Sequence, residues 1–302
     1  MTRKTANDFH PEVLKLFDQY VHGQASRRDF LTGAAKYTVA GITAAGLLDA
    51  LSPRFAEAQQ VSPSDKTIRV SYEEFPSPNG SGKMRGYLAK PAKIKGKLPT
   101  ILVVHENRGL NPHIEDITRR LAKDNFIAYA PDALFSLGGY PGDEEKAREL
   151  FQKLDQTKII EDFVTAADVL KHLPGGNGKV GVVGFCYGGA ISNTLATRIP
   201  DLGGAVPFYG RQPEDADTAK IKAPLLIHYA GTDERVNAGW PKYEAALKAN
   251  GIRYEAFIYP DVQHGFNNDT TPRYNATAAA QAWERTLAFF AGRLGSAVHP
   301  KA

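Results

Sequence analysis

Cysteine is almost absent from this chain, since Cys186 is the single cysteine among 302 residues. One thiol cannot form an intrachain disulfide, and it cannot supply a multi-cysteine zinc site or an iron–sulfur cluster. The sequence therefore predicts no bound metal or cofactor of these kinds. It leaves the one thiol free for chemistry.

The chain also lacks a strong excess of charge of either sign. It has 37 Lys and Arg against 33 Asp and Glu, a formal net charge of +4, and the basic residues are scattered. No basic run interleaved with aromatic residues indicates a nucleic-acid groove, so no nucleic-acid partner is expected. With 42% hydrophobic residues and no repeats, the composition is that of a globular protein with one large α/β domain or two small ones.

The most informative stretch is Lys179 to Gly189, which reads K-V-G-V-V-G-F-C-Y-G-G. Its valines are typical of a buried parallel strand, and Ala190 to Ile199 resembles the start of a helix. Glycines on both sides of Cys186 allow the sharp strand-to-helix turn of a nucleophile elbow, with sulfur in place of hydroxyl. A helix N-terminus favours an anion, so this position would help the thiol to ionise. The alternative is a buried cysteine that only fills the junction.

Residues 1–58 have the parts of an export leader. Ser26-Arg27-Arg28-Asp29-Phe30-Leu31 is followed by the moderately apolar stretch Gly33 to Leu51 and by Ala56-Glu57-Ala58. An arginine pair, an apolar stretch and a small-x-small site predict a bacterial twin-arginine signal peptide, hence periplasmic or other exported location and the translocase as a transient partner. An amphipathic helix is the alternative. The sequence leaves open whether the leader is cleaved, and residues 1–25 have no explanation in these terms.

Residues 59–302 alternate strands with helices, which predicts an α/β fold with a mostly parallel sheet covered on both faces. Before and at the elbow, strands are predicted at Thr67 to Phe75, Met84 to Lys90, Thr100 to Val104, Phe126 to Ala130 and Val180 to Val183, and after it at Ala205 to Tyr209, Pro224 to Ala230 and Tyr254 to Tyr259. The first two strands form an antiparallel hairpin in this prediction. In such sheets, chemistry is expected in the loops that follow the strands.

Two of these loops hold partners for the thiol. Asp233 follows one strand and His264 follows the next, so the order Cys, Asp, His is that of the α/β-hydrolase fold. These residue types predict a nucleophile, a base and an orienting carboxylate, with Glu234, Asp261 and His228 as neighbours that could be mistaken for them. The oxyanion hole is predicted to use the backbone N–H groups of Tyr187 and Asn107.

These residues carry a resemblance to a known family. The segments are V-V-H-E-N-R-G-L at Val103 to Leu110, A-P-D at Ala130 to Asp132, G-F-C-Y-G-G at Gly184 to Gly189, G-T-D at Gly231 to Asp233 and H-G-F at His264 to Phe266. Together they resemble the dienelactone hydrolases (carboxymethylenebutenolidases) over roughly residues 68–294. The resemblance implies hydrolysis of small lactones or esters through an acyl-thioester on the cysteine, without metal or cofactor. It also implies that Glu106 holds the resting thiol and accepts its proton when substrate arrives; the alternative for Glu106 is an ion pair with Arg108.

The resemblance fails at one point. Family members that act on dienelactone grip its carboxylate with two arginines, but the corresponding segments here read Ala-Leu-Phe-Ser-Leu at 133–137 and Asn-Asn-Asp at 267–269. Arg108, Arg211 and Arg273 are possible substitutes, and Tyr209 is a further candidate for substrate contact. The dienelactone substrate itself is therefore not predicted.

Two other functions remain as alternatives at this stage. A cysteine-elbow amidotransferase-like enzyme often has histidine directly after the cysteine, where this chain has Tyr187, and its residue order differs. A non-catalytic exported binding protein on the same fold would have no need of all three triad residues. The sequence does not indicate an oligomeric state.

Overall fold

The computed structural model describes residues 4–38 and 42–295, so residues 39–41 of the predicted apolar stretch lie outside the described residues. Its centre is one sheet of eight strands in the order β1-β2-β4-β3-β5-β6-β7-β8. The strands are β1 (Ile68–Ser77), β2 (Gly82–Pro91), β3 (Leu98–Val104), β4 (Ile127–Pro131), β5 (Gly176–Phe185), β6 (Gly204–Phe208), β7 (Leu225–Ala230) and β8 (Tyr254–Tyr259).

The sheet is antiparallel at one edge and parallel elsewhere. β1 pairs with β2 and β2 with β4 in antiparallel register, whereas every pairing from β4 through β3 to β8 is parallel. This confirms the predicted α/β-hydrolase-type fold with an antiparallel N-terminal hairpin. The parallel pairing brings the carboxyl ends of β3, β5, β7 and β8 to the same end of the sheet. The loops that carry the predicted site residues meet there.

Twelve α-helices surround the sheet in the described part of the chain. They are α1 (Pro11–Val21), α2 (Arg27–Ala34), α3 (Ala44–Leu51), α4 (Phe55–Ala58), α5 (Pro112–Lys123), α6 (Glu144–Phe151), α7 (Gln156–Lys171), α8 (Tyr187–Arg198), α9 (Asp215–Thr218), α10 (Glu234–Asn237), α11 (Trp240–Ala249) and α12 (Ala276–Leu294). Asn111, Asp143 and Asn275 start α5, α6 and α12 by accepting a hydrogen bond from a first-turn N–H group, as N-cap side chains do.

Two hydrophobic cores hold these helices on the sheet, one on each face. On one face, Phe163 of α7 and Leu195 of α8 pack against β3 and β5. On the other, Ile117 of α5 and Phe290 of α12 pack against the same strands. Strands β3 to β7 are buried on both faces for this reason, which explains their nearly continuous apolar sequences.

Residues 4–38 and 42–58, here called the leader, fold into a helical cap rather than one long helix. Its helices α1, α2 and α3 bury a third core that includes Phe17, Phe30 and Leu51. The side chain of Ser26 starts α2 in a capping box with Asp29, and this leaves Arg27 and Arg28 exposed. Among the described residues, no helix is long and apolar enough to cross a membrane.

Candidate active site

Cys186 lies at the sharp turn between β5 and α8. Its backbone is in an unusual conformation, with φ 57° and ψ −109°, and Cys186 itself is the N-cap of α8. A Cβ at Gly184 would overlap the carbonyl of Gly188, and one at Gly188 would overlap the carbonyl of Val104, so the turn closes only with glycine at these places. The helix therefore begins three residues earlier than the sequence predicted, and the backbone carbonyl of Cys186 accepts a hydrogen bond from Ala190 N at 3.2 Å in its first turn.

His264 and Asp233 meet beside this turn. His264 Nδ1 lies 2.5 Å from Asp233 Oδ2, and both side chains are buried. One ring nitrogen of His264 and the Sγ of Cys186 belong to a group of atoms that all lie within 4.8 Å of one another. The three side chains predicted from separate loops are therefore adjacent, with the carboxylate on the far side of the imidazole from the sulfur.

The ionisation of these groups is strongly coupled. Burial opposes the Cys186 thiolate, but His264 and a second histidine, His22, outweigh it and lower the pKa of the thiol to about 6. Burial likewise opposes the imidazolium of His264, whereas the thiolate and Asp233 raise its pKa to about 10. Between these two values the site holds a thiolate–imidazolium pair.

Glu106 and Asn107 follow β3 and line the cavity at Cys186. Glu106 accepts a hydrogen bond from Asn268 Nδ2 at 3.0 Å, whereas Arg108 lies 3.9 Å from Glu144, so Glu106 has a partner other than the arginine considered from sequence. Tyr187 is the first residue of α8, and its N–H has no acceptor inside the helix.

The predicted substrate-contact residues lie in two adjoining hollows beside the thiol. Arg108 is buried and lines a cavity of about 420 Å³ together with Glu106, Cys186 and His264. Tyr209 and the exposed Arg211 line the neighbouring hollow, which also reaches Cys186. The ring of Tyr209 lies 4.9 Å from that of His264, and the buried Tyr209 hydroxyl has no hydrogen-bond partner in the described structure.

One residue at this site was missed by the sequence reasoning. His22, at the end of α1 in the leader, places Nε2 3.5 Å from Cys186 Sγ and 3.2 Å from His264 Nε2. Arg235 and Asp18 lie next to it. Nothing in the spacing along the chain links position 22 with position 186, and residues 1–25, which include His22, have no explanation from the sequence alone.

Cys186, His22 and His264 also form a set of donor atoms that could bind a metal ion, since Sγ and one ring nitrogen of each histidine lie within 4.8 Å of one another. Thiolate and imidazole are ligands that zinc accepts, and two histidines with carboxylate partners at Nδ1 are common in such sites. The cationic Arg235, however, places Nη2 3.0 Å from His22 Nε2, on one of those same donor atoms. Because a cation already lies beside His22 Nε2, this arrangement favours the Cys186 thiolate over a divalent cation as the partner of His22.

Comparison with known proteins agrees with this geometry. Residues 84–294 match the Dienelactone hydrolase family, and residues 1–36 match a second family described as YqhI-like. A protein of Yersinia pestis named as a carboxymethylenebutenolidase is 32% identical over 240 residues, which cover 74% of this chain and 90% of that protein. The hydrolase fragment YghX of Escherichia coli K12 is 57% identical over 116 residues, 38% of this chain and 99% of the fragment.

A solved structure gives the same result. The crystal structure of a protein from Klebsiella pneumoniae, described as a dienelactone hydrolase, superposes with a TM-score of 0.66 at 30% identity and covers 74% of this chain and 98% of its own. The family match spans the sheet from β2 to β8, apart from the first two residues of β2, together with the elbow and the loops that carry Glu106, Asp233 and His264. The chain is a hydrolase that belongs to the dienelactone hydrolase family.

Proposed function

We propose that this protein hydrolyses small neutral carboxylic esters or lactones, with Cys186 as nucleophile, His264 as base and Asp233 as the carboxylate that orients the imidazole. The observation that carries the proposal is the placement of Cys186 at a helix N-terminus beside the His264–Asp233 pair. A thiol with a pKa of about 6 is ionised at neutral pH, and a thiolate is the form that attacks carbonyl carbon.

The reaction would proceed in two halves. The S–H proton passes to His264 Nε2, the thiolate attacks the carbonyl carbon, and the N–H groups of Tyr187 and Asn107 stabilise the resulting oxyanion. When the C–O bond breaks, the leaving oxygen takes the proton from His264. That transfer is helped because the acylated sulfur no longer carries the charge that raises the pKa of the imidazole.

The second half returns the enzyme to its starting state. His264 removes a proton from water, the hydroxide attacks the acyl-thioester, and the C–S bond breaks to release the acid and regenerate the thiolate. Asp233 keeps the Nδ1 proton in place throughout. Burial would raise the pKa of Asp233, but its hydrogen bond with His264 holds that pKa below the usual range.

Glu106 would control the resting thiol. Its carboxylate lines the same cavity as Cys186, and a negative charge there opposes a second one on sulfur. Asn268 holds one of its oxygens at 3.0 Å, so the carboxylate is fixed near the cavity. Substrate entry would allow Glu106 to accept the proton of those thiols that are still protonated, which are a minority at neutral pH because the pKa of Cys186 is about 6.

The preference for neutral substrates rests on the cations around the cavity. Asn267, Asn268 and Asp269 are buried, and Asp269 is within 2.7 Å of Arg120, so this segment offers no cation to a substrate. Arg108 faces Glu144, and Arg273 lies 3.4 Å from Asp18. These side chains already have anionic partners inside the protein.

We further propose that the leader directs export by the twin-arginine pathway, which would place the enzyme in the periplasm. The exposure of Arg27 and Arg28 at the start of α2 supports this, because a receptor could reach both side chains in the folded protein. Replacing both arginines with lysine should keep the protein in the cytoplasm. Unchanged export would contradict the proposal.

The hydrolytic function is tested with a panel of aryl esters and lactones on the full-length protein and on Cys186→Ala. We expect Cys186→Ala to lose turnover almost completely while its melting temperature stays unchanged, and we expect mass spectrometry of the wild type to find an acyl group on Cys186. Activity in Cys186→Ala above a few per cent would contradict the nucleophile assignment. Binding of these substrates without any turnover in the wild type would favour a non-catalytic role.

A further inference from the structure

The leader brings a second histidine to the catalytic thiol. His22 is the residue directly after α1, and its Nε2 lies 3.5 Å from Cys186 Sγ. The side chain of His22 is only 11% exposed, so the contact lies inside the protein. His22 therefore faces the sulfur at a distance suited to exchanging a proton with it.

This histidine has a carboxylate partner of its own. His22 Nδ1 lies 2.7 Å from the carbonyl oxygen of Asp18 and 3.3 Å from Asp18 Oδ1. Both acceptors favour the tautomer with hydrogen on Nδ1, which directs the lone pair of Nε2 toward the sulfur. The arrangement repeats the His264–Asp233 pair from another part of the chain.

The charged groups around His22 act in opposite directions. Arg235 from α10 can only donate, and its Nη2 lies 3.0 Å from His22 Nε2, so in the neutral ring it competes with the S–H group for that lone pair. Asp18 in turn lies 3.4 Å from Arg273 and 3.8 Å from Arg235. Burial would lower the pKa of His22, but the Cys186 thiolate and Asp18 outweigh burial and raise it, while His264 opposes them.

The leader forms a wall of the cavity without filling it. Phe17, Tyr20 and Leu48 of the leader face Cys186 and Glu106 across the cavity of about 420 Å³. A space of this size accommodates a small ester or lactone. The leader thus leaves room for a substrate above the thiol, which an inhibitory plug would not.

The leader is also attached to the loop that supplies the oxyanion hole. Asn107 Nδ2 donates to the carbonyl oxygen of Val21 at 2.7 Å, and Arg108 Nη1 donates to the same oxygen at 3.3 Å. Arg54 N donates to the carbonyl oxygen of Thr270 at 2.8 Å. The two hydrogen bonds to Val21 fix the end of α1, and with it His22, relative to Cys186, whereas the one from Arg54 holds the segment before α4.

We infer that His22 is a catalytic residue that shares the Cys186 thiolate with His264, so that the leader is part of the catalytic unit. This inference rests on the proposed hydrolytic function. His22 Nε2 takes the S–H proton as an alternative to His264, and as imidazolium it pairs with the thiolate. After the thiolate attacks and the C–O bond breaks, the proton passes to the leaving oxygen. One of the two rings then takes a proton from water, the hydroxide attacks the thioester, and the C–S bond breaks to release the acid and restore the thiolate–imidazolium pair.

The inference has a consequence for export. Cleavage after Ala58 would remove His22 together with the wall of the cavity, whereas a retained leader keeps both. We therefore expect the active form of the enzyme to contain the leader. Mass spectrometry of the active protein should find residue 22.

The direct test compares His22→Gln with His172→Gln in the full-length protein, because His172 is an exposed histidine far along the chain. For each variant, ester hydrolysis and the rate of Cys186 alkylation by iodoacetamide are measured as functions of pH. We expect His22→Gln to lose about 30-fold or more in kcat/KM at neutral pH and to raise the midpoint of alkylation by about one pH unit. His172→Gln should match the wild type.

Opposite results would overturn the inference. If kcat/KM of His22→Gln stays within about threefold of the wild type and the pH midpoint of Cys186 alkylation is unchanged, His22 only packs against the site. If His22→Gln fails to fold, Asp18→Asn serves instead, since it keeps the His22 ring and the volume of the side chain at position 18. An unchanged pH midpoint of alkylation in Asp18→Asn would also overturn the inference.

Two further controls separate this inference from its alternatives. Loss of activity on chelation, restored by Zn²⁺ alone, would show that His22 binds a metal and would overturn the role given to the imidazole. Retained activity in Cys186→Ala would refute the proposed function itself. An inactive Cys186→Ala together with a normal His22→Gln would refute only the inference about His22.

Discussion

The two His–Asp pairs at Cys186 both place a carboxylate beside an imidazole, but they come from very different parts of the chain. In the first, His264 and Asp233 come from loops after neighbouring parallel strands, and the imidazole is buried beside a carboxylate at 2.5 Å. In the second, His22 and Asp18 lie one helical turn apart in the leader, and Asp18 is 28% exposed. The first pair is fixed by the sheet, whereas the position of the second depends on how the leader docks.

This difference predicts unequal effects when each carboxylate becomes an amide. Asp233→Asn removes the charge that holds the buried His264 imidazolium, so we expect a loss in kcat of about a thousandfold, as for orienting carboxylates in other triads. Asp18→Asn acts on the more exposed pair and should cost about tenfold. Steady-state kinetics at neutral pH measures both.

The matched control is Asp261→Asn, three residues before His264. Asp261 lies in the turn after β8, and this change should leave kcat nearly unaltered. A loss below about tenfold in Asp233→Asn would show that the leader pair, not the sheet pair, orients the working imidazole.

The charged groups around the cavity also predict how an acidic ester should compare with its neutral analogue as a substrate. With Arg273 near Asp18 and Arg108 near Glu144, a carboxylate on the substrate would find few free cations. A charge-assisted hydrogen bond contributes about 1.5–3 kcal/mol, so without one an acidic ester should react no better than its neutral analogue. The ratio of kcat/KM for the two esters decides this.

Arg211 is the exception that this measurement would reveal. It is exposed and lines the hollow beside Cys186. A preference of about a hundredfold for the acidic ester, removed by Arg211→Gln, would show that this arginine binds a carboxylate and would contradict the proposed preference.

The smallest expected effect concerns Glu106. Glu106→Gln removes a negative charge beside the cavity while keeping the shape, so below pH 6, where part of the thiol is still protonated, resting Cys186 should react a few times faster with iodoacetamide. Turnover should fall because a proton acceptor is lost. Asn268→Ala, which frees the carboxylate, is the companion variant. Slower alkylation with normal turnover would mean that Glu106 acts only through its contact with Asn268.

Much of the catalytic domain could be predicted because local sequence and global fold agree there. The valines of β5, the glycines around Cys186 and the order Cys, Asp, His each indicate the same architecture, so strand positions were accurate to a few residues. The start of α8 was predicted at Ala190 instead of Tyr187, since glycines in the sequence suggested a loop where they permit a tight helix start.

The leader could not be predicted in the same way. Its Arg27-Arg28 pair and apolar stretch are local signals, but the contact between His22 and Cys186 spans 164 residues along the chain. Such a contact depends on the separate core of the leader, in which Phe17 and Phe30 pack. The spacing of hydrophobic residues along the chain does not show how this core docks on the catalytic domain. The sequence predicts that Glu106 acts on the thiol, but this prediction takes no account of His22, which also contacts the thiol.

The most direct test of this account is the titration of the Cys186 thiolate, followed by its ultraviolet absorbance in the full-length protein. Cys186 is the single cysteine, so the signal has one source. Because the folded protein lowers the pKa of the thiol, the thiolate should form as pH rises through about 6. It should persist at higher pH, while the imidazolium of His264 loses its proton as pH rises through about 10. Ester hydrolysis should fall with the thiolate as the pH drops below 6. A midpoint near 8.5, the value of an ordinary cysteine, would contradict a thiolate held between two histidines.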